Sequence, residues 1–337
     1  MEKSLKQIKM EVTKVLTIIF SVTYLMGIIL FLVYKNLDKS AGQYFALVQM
    51  LYPAFAAICM KLYYEKSNMP KELIKFFKEY IAFFILCIVI LIVGIFAYRK
   101  YVELVLNMVV GIFSLIAFVK IIDDKNKYFE RISMILRKNI KITMLLSLAF
   151  IVIRLIEVGT SGVICGFSSR EIKNVIITIS FLPISLLIGI VAAFMPYFGE
   201  ELGWRGYLQP RLQVLFGKKV GIVVLGVIWG MWHLPLCITL YGPKTPVYSI
   251  ISYPFFCTFL AIFFGFVYMK TGNLWSTIIL HIINNSLASG ANGGQYAQVL
   301  TLKDLVIGIA IEGVLFVPFI FTKEYKNNEI NKVSQSL

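Results

Sequence analysis

Residues 15–34 read VLTIIFSVTYLMGIILFLVY, a run of twenty positions without a charge. At about 1.5 Å of helical rise per residue the run is about 30 Å long, the thickness of a bilayer's hydrocarbon core. That length decides the fold class, because a helix of this kind crosses a membrane. The preceding MEKSLKQIKMEVTK is basic, as the front of a signal peptide would be. The apolar stretch is too long for such a leader and no small-residue cleavage site follows, so the expectation is a retained first span.

Outward from that run the pattern repeats. Candidate spans lie at 15–34, 44–60, 80–98, 104–119, 142–160, 175–198, 220–240, 250–269, 273–290 and 305–321. Composition agrees: of 337 residues 59% are hydrophobic and only 15% charged, and the mean hydropathy is +0.81. A soluble globular domain does not have that balance. The expected fold is all-α, a polytopic transmembrane helix bundle of about 8–10 spans. No internal repeat is visible, which weighs against a transporter built from two related halves.

Lys and Arg set the orientation, because Asp and Glu contribute little to topology. The segments 1–14, 61–79, 120–141, 199–219, 270–272 and 322–337 hold 24 of the 33 Lys and Arg residues, the segments between hold 8, and Arg154 lies inside a span. The bias predicts cytosolic N- and C-termini and absorbs most of the net charge of +15. The lipid bilayer is then the partner of that charge, and the lack of a soluble basic domain argues against nucleic acid. Cys59, Cys87, Cys165, Cys237 and Cys257 are scattered without the spacing of a metal site, a disulfide framework or a nucleophile.

Three parts follow from the polarity. Residues 1–140 are spans joined by Lys-rich loops, a scaffold or partner surface of unknown role. Residues 141–321 carry polar groups inside apolar runs. Residues 322–337, TKEYKNNEINKVSQSL, form a polar C-terminal tail expected to be disordered.

The chain has two histidines, His233 and His281, both inside expected spans. An ionisable group at membrane depth is costly and marks a functional site or a specific hydrogen bond. His233 lies in GVIWGMWHLP, where Gly226 and Gly230 let another helix approach the face beside it. His281 lies in LHIINNS, one turn before Asn285, so the two aim donors at one point; Asn284 turns toward another partner. The competing reading for both histidines is interhelical hydrogen bonding alone.

The acids come in EELGWRGYLQ, residues 200–209. If the helix of 175–198 continues, Glu201 and Arg205 are four apart and neutralise each other, a structural role. Glu200 is left on another face, where desolvation raises its carboxyl toward the range of general acid–base work. The competing reading is an interfacial acid solvated by water. Pro196 is expected to kink the helix just before the acids. Trp204 and Tyr207 read as an interfacial belt, Arg154 and Glu157 as a neutralising pair, and Glu312 stands without an identified partner.

Glu200, His233, His281 and Asn285 together supply what acyl chemistry needs, a base, a water and oxyanion donors. Glu200, assisted by His233, deprotonates a water; His281 and Asn285 stabilise the oxyanion.

At these residues the chain resembles the CAAX protease and bacteriocin-processing (CPBP) family, also called the ABI family of membrane proteases. The matching motifs are Glu200-Glu201 with Arg205, Trp229 with His233, and His281 with Asn285, all in order between about 175 and 290. The resemblance implies an intramembrane endopeptidase whose Glu200 and His233 activate water, whose His281 and Asn285 form the oxyanion hole, and whose Glu201 and Arg205 are structural. Trp229 stands where the family more usually has Phe, and the two rings are expected to pack alike. An older view of the family is a metalloprotease, with Glu200, His233 and His281 as zinc ligands. The absence of a His-Glu-x-x-His pattern and the donor character of His281 with Asn285 favour a reaction without metal or other cofactor.

The reading is a multi-pass protease of the cell membrane, with its active site opening toward the cytosolic side, cutting a peptide or membrane-protein substrate in peptide maturation or bacteriocin immunity. Eukaryotic relatives act on prenylated C-termini, and the excess of Lys over Arg, 26 to 7, leans toward the bacterial group. The alternatives are a non-catalytic membrane scaffold regulating a partner, and a transporter or immunity pump.

Overall fold

The computed structural model describes residues 4–135, 137–166, 168–291 and 296–326. Among them every regular element is helical and no strand is present, as the apolar runs predict. Helix α1, Leu5–Asn36, shows why: its buried residues Ile8, Val12, Val15, Ile19, Met26, Leu30 and Val33 recur every three or four positions, while Leu25 and Leu32 face outward. One stripe packs on the bundle and the other meets lipid.

The chain continues through α2 (Ala41–Gln49), α3 (Tyr52–Tyr64), α4 (Lys71–Ala97), α5 (Val102–Ile122), α6 (Ile140–Cys165) and α7 (Ser169–Val191). Then come α8 (Phe194–Glu201), a π-helical stretch (Leu202–Leu208), α9 (Gln209–Phe216), α10 (Lys218–Trp232), α11 (Leu234–Thr239), α12 (Pro246–Thr271), α13 (Leu274–Ala291) and α14 (Leu302–Phe316). Eight helical segments, with α2–α3 counted as one, are long and apolar enough to cross a membrane. The expected spans 220–240 and 273–290 are absent from those eight. The first breaks at His233 into α10 and α11, and the second is α13, whose middle carries His281, Asn284 and Asn285.

Two hydrogen-bond networks define the ends of the bundle. At one end Glu11 and Glu65 hold Arg211, Asn139 Nδ2 donates to Thr271 O at 2.8 Å, and Lys218 Nζ donates to Glu324 O at 3.1 Å. At the other, Lys244 N donates to Gln298 O, Leu300 N to Thr245 Oγ1, and Lys303 Nζ to Ile164 O. The first described residues of α1 and the last described residues of the chain both lie at the first end.

Much of the segment 199–219, counted from its charge among the cytosolic segments, is packed into the core. Glu200, Glu201, Arg205, Gln209 and Arg211 are all buried. The helix of 175–198 ends at Val191 and restarts at Phe194, so Pro196 sits in the first turn of α8, where its missing N–H leaves no bond unmade. The expected kink at Pro196 is replaced by that earlier break. The tail is corrected too: Tyr325 is fully buried and its hydroxyl donates to Ile262 O at 2.7 Å. The rest of the tail, 327–337, lies outside the described residues. Glu312, without a partner in the sequence reading, joins Arg154 at 3.7 Å beside the expected Arg154–Glu157 pair at 2.5 Å.

Candidate active site

Three helical breaks bring the polar residues together. The first hands the chain from α7 to α8, and the π-helical stretch follows directly on the two acids. A π turn is a costly local geometry that recurs at functional sites. Gly203 seats this stretch on α3: a Cβ there would stand 2.3 Å from Cβ of Pro53. The second break ends α10 at His233, two residues before Pro235. Gln49 of α2 donates to the Trp232 carbonyl at 2.8 Å, satisfying a group buried at the break. The third is the junction between α2 and α3 against which α8 packs.

The expectation for Gly226 and Gly230 holds. A Cβ at either would stand 2.3 Å from a backbone atom of α12, Thr258 Cα or Pro254 Cα, so α10 and α12 touch main chain to main chain. That contact fixes the height at which His233 enters the bundle.

Glu200 is gripped through one oxygen. Its Oε2 accepts from Trp229 Nε1 at 2.8 Å and from Trp204 Nε1 at 3.2 Å. Its Oε1 is left to face His281 Nε2 at 3.9 Å. Trp204, assigned to an interfacial belt, is thus part of the site. Beyond the ring packing that Phe would share, Trp229 supplies an N–H donor that Phe lacks.

Glu201 and Arg205 form the expected structural pair, with Nε and Oε2 3.2 Å apart. The alignment is too poor for a hydrogen bond, and the guanidinium rests instead over the rings of Trp229 and Phe264, 4.3 and 4.9 Å from their centroids. Glu201 has a second role that the sequence did not reveal: its Oε1 lies 2.8 Å from His281 Nδ1. A carboxylate only accepts, so Nδ1 carries the proton and Nε2 is the nitrogen turned to Glu200.

His233 is held differently. Its Nδ1 lies 2.9 Å from the Trp229 carbonyl, which also only accepts, so Nε2 keeps its lone pair. Cys257 Sγ lies 3.7 Å from the same Nδ1. No hydrogen bond or ion pair joins Glu200 directly to His233.

All four expected catalytic residues line one cavity of about 480 Å³. Asn284 joins them, contrary to its expected turn toward another partner: its Nδ2 donates to Asn285 Oδ1 at 3.1 Å and its own Oδ1, buried, has no hydrogen-bond partner among the described residues. Asn285 also meets the hydroxyl of Tyr197. Beyond these the walls are aromatic, with Tyr241 and Tyr253 stacked at 4.7 Å and Tyr296 edge-on to Tyr241. Gln43, Ala46, Leu47 and Met50 of α2 complete them, so the N-terminal part is a wall of the site.

Of the residues named for zinc, His281 Nε2 and Glu200 Oε1 are 3.9 Å apart, wider than the roughly 3.3–3.6 Å between two atoms bound at about 2.0–2.2 Å to a tetrahedral ion. Among the described residues no group of three His, Cys, Asp or Glu side chains is arranged to hold an ion.

A comparison with known protein families falls on the same stretch. Residues 180–287 match the family model described as type II CAAX prenyl endopeptidase, Rce1-like. The CAAX prenyl protease 2 of Methanococcus maripaludis is 38% identical over 56 residues, which is 17% of this chain and 19% of that protein. The chain thus matches about a fifth of the length of that curated relative. No solved structure matches the chain. Every motif residue from Glu200 to Asn285 falls inside 180–287, the stretch over which the chain is similar to the Rce1-like CAAX prenyl endopeptidases.

Proposed function

We propose that the protein is an intramembrane endopeptidase that hydrolyses a peptide bond with water activated by Glu200 and His233. The observation that carries this reading is the one-oxygen grip on Glu200. Two indole N–H groups occupy Oε2, leaving Oε1 as the basic oxygen directed into a cavity that His233, His281 and Asn285 also line.

In this mechanism a water lodged between Glu200 Oε1 and His233 Nε2 loses a proton to the carboxylate as its oxygen attacks the scissile carbonyl carbon. The carbonyl π pair moves onto oxygen, and the oxyanion accepts from Asn285 Nδ2 and from Nε2 of His281, which is an imidazolium protonated on both nitrogens before the attack and keeps both protons throughout. Glu201, accepting from Nδ1, orients that ring. Collapse of the tetrahedral centre breaks the C–N bond, and the proton held by Glu200 passes to the leaving amine. Asn284 Oδ1, lacking a partner among the described residues, is placed to accept a substrate backbone N–H. Oxyanion donors of this kind contribute a few kcal/mol each to the barrier.

The test is a mass-spectrometric comparison of new protein and peptide termini in cells making equal amounts of the wild type and Glu200→Gln. Termini found only with the wild type support proteolysis. Identical sets, with both proteins folded in the membrane, reject it in favour of a scaffold.

A further inference from the structure

We infer that the catalytic chamber opens on the face of the membrane away from the cytosol, and that its substrate is an uncharged stretch of polypeptide presented from that face. The inference rests on the protease reading for the word substrate, while the direction of the opening stands on geometry alone.

The mouth of the chamber is built by Gln43 at the start of α2, Tyr241 after α11, and Tyr296, Ala297 and Leu300 before α14. These belong to the end of the bundle tied by the 244–298 and 245–300 hydrogen bonds. The opposite end holds the first residues of α1, the 61–69 and 123–139 loops and the described C-terminal residues. The expectation of cytosolic termini together with a cytosolic opening is therefore internally inconsistent, because the chamber opens at the end away from both termini.

Charge chooses between the two faces. Leaving out the buried Arg205 and Arg211, the terminal end carries 20 Lys and Arg among the described residues against 8 at the chamber end. Such a bias marks the cytosolic side. A second cavity of about 720 Å³ lies at the terminal end, lined by Lys61, Glu65, Arg131, Gln209 and Arg211 among others. The two cavities have no lining residue in common, and Glu201, Leu202, Trp204 and Arg205, all buried, lie in the chain between Glu200 and that second cavity.

The lining states the chemistry of the occupant. Apart from His281, which Glu200 and Glu201 already flank, Glu200 is the single charged residue among the described ones around the chamber, and neither Lys nor Arg is there to neutralise an acidic side chain or a free carboxylate. An acidic group next to the scissile bond would be desolvated without a partner, so the chamber selects uncharged residues. A free peptide and a segment of a membrane protein exposed on that face share this chemistry.

Lys244→Cys and Ala297→Cys at the mouth, and Lys125→Cys at the other end, placed singly in a Cys165→Ser background, test the direction without any need for activity. A membrane-impermeant maleimide applied to intact bacterial cells is expected to label the two mouth positions, and Lys125→Cys only after permeabilisation. The reverse pattern, or equal labelling of both ends, overturns the inference. In the wild-type and Glu200→Gln comparison of termini, new ends in the medium identify a free peptide and new ends in externally exposed membrane segments identify a tethered one. New ends confined to cytosolic segments overturn the assigned face. Mouth labelling from outside without any new ends keeps the face and rejects the protease reading.

Discussion

Trp229 Nε1 donates to Glu200 Oε2 at 2.8 Å, a bond between the last full turn of α10 and the end of α8. Through it the residue four before His233 reaches the proposed base, so two motifs far apart in sequence act on one carboxylate. The second indole, from Trp204, donates to the same oxygen at 3.2 Å and would hold Glu200 alone if Trp229 were lost.

Trp229→Phe keeps a ring in place and removes only the donor. Hydrogen bonds to charged groups are worth about 1.5–3 kcal/mol, and with Trp204 still present the expected loss is nearer the lower figure, about tenfold in turnover. The same change at Trp204, whose bond is longer, is expected to cost less. Rates measured on a substrate found by the termini comparison, with melting temperatures as control, check this. Unchanged turnover in Trp229→Phe would remove the indole from the mechanism.

Glu201→Gln should separate structure from chemistry. The substitution leaves Arg205 fully buried without its carboxylate, and breaking a buried pair by removing one partner costs about 3–5 kcal/mol. A large fall in thermal stability in detergent is expected, whereas Glu200→Gln, whose side chain has no fixed counter-charge closer than His281, is expected to melt near the wild type and to be inactive. Equal stability of the two variants would contradict the division of labour between the adjacent acids.

Cleavage is expected to survive zinc chelation and to survive Cys257→Ala. The first follows from the spread of Glu200 and His281, the second from the Trp229 carbonyl, which engages the imidazole nitrogen nearest the thiol. Activity lost to a chelator and regained with zinc would overturn the metal-free mechanism. Loss in Cys257→Ala with a normal melt would point to a thiol nucleophile.

Much of this site was legible in the sequence because local spacing carries it. Glu201 with Arg205 and His281 with Asn285 are helical neighbours, and the Gly226/Gly230 face predicts its own close contact. What spacing cannot express is the tertiary setting. The charge of 199–219 put that stretch among the cytosolic segments, yet Arg205 and Arg211 are neutralised inside the bundle by Glu201, Glu11 and Glu65 from three separate elements. Trp204 read as a belt residue because only the fold aims its N–H at Glu200. The direction of the mouth was likewise invisible, since it depends on which ends of α2, α11 and α13 meet.

Asn284 and Asn285 should differ in what they change. Asn285, expected from its spacing to His281, is assigned to the developing oxyanion, a charge that exists only in the transition state. Asn285→Ala should therefore lower kcat by about 10²–10³, as loss of one oxyanion donor does elsewhere, with little change in KM. Asn284 offers Oδ1, buried and without a partner among the described residues, to a substrate N–H that is the same in the ground and transition states. Asn284→Ala removes uniform binding and should raise KM, by about tenfold for a hydrogen bond of about 1.4 kcal/mol, while leaving kcat near the wild type. Because Asn284 Nδ2 also donates to Asn285 Oδ1, Asn284→Asp, which retains an acceptor but loses that donor, separates the roles. If Asn284→Asp restores KM and lowers kcat, Asn284 both binds the substrate and orients Asn285. If Asn284→Ala leaves KM unchanged, its carbonyl is not a substrate contact.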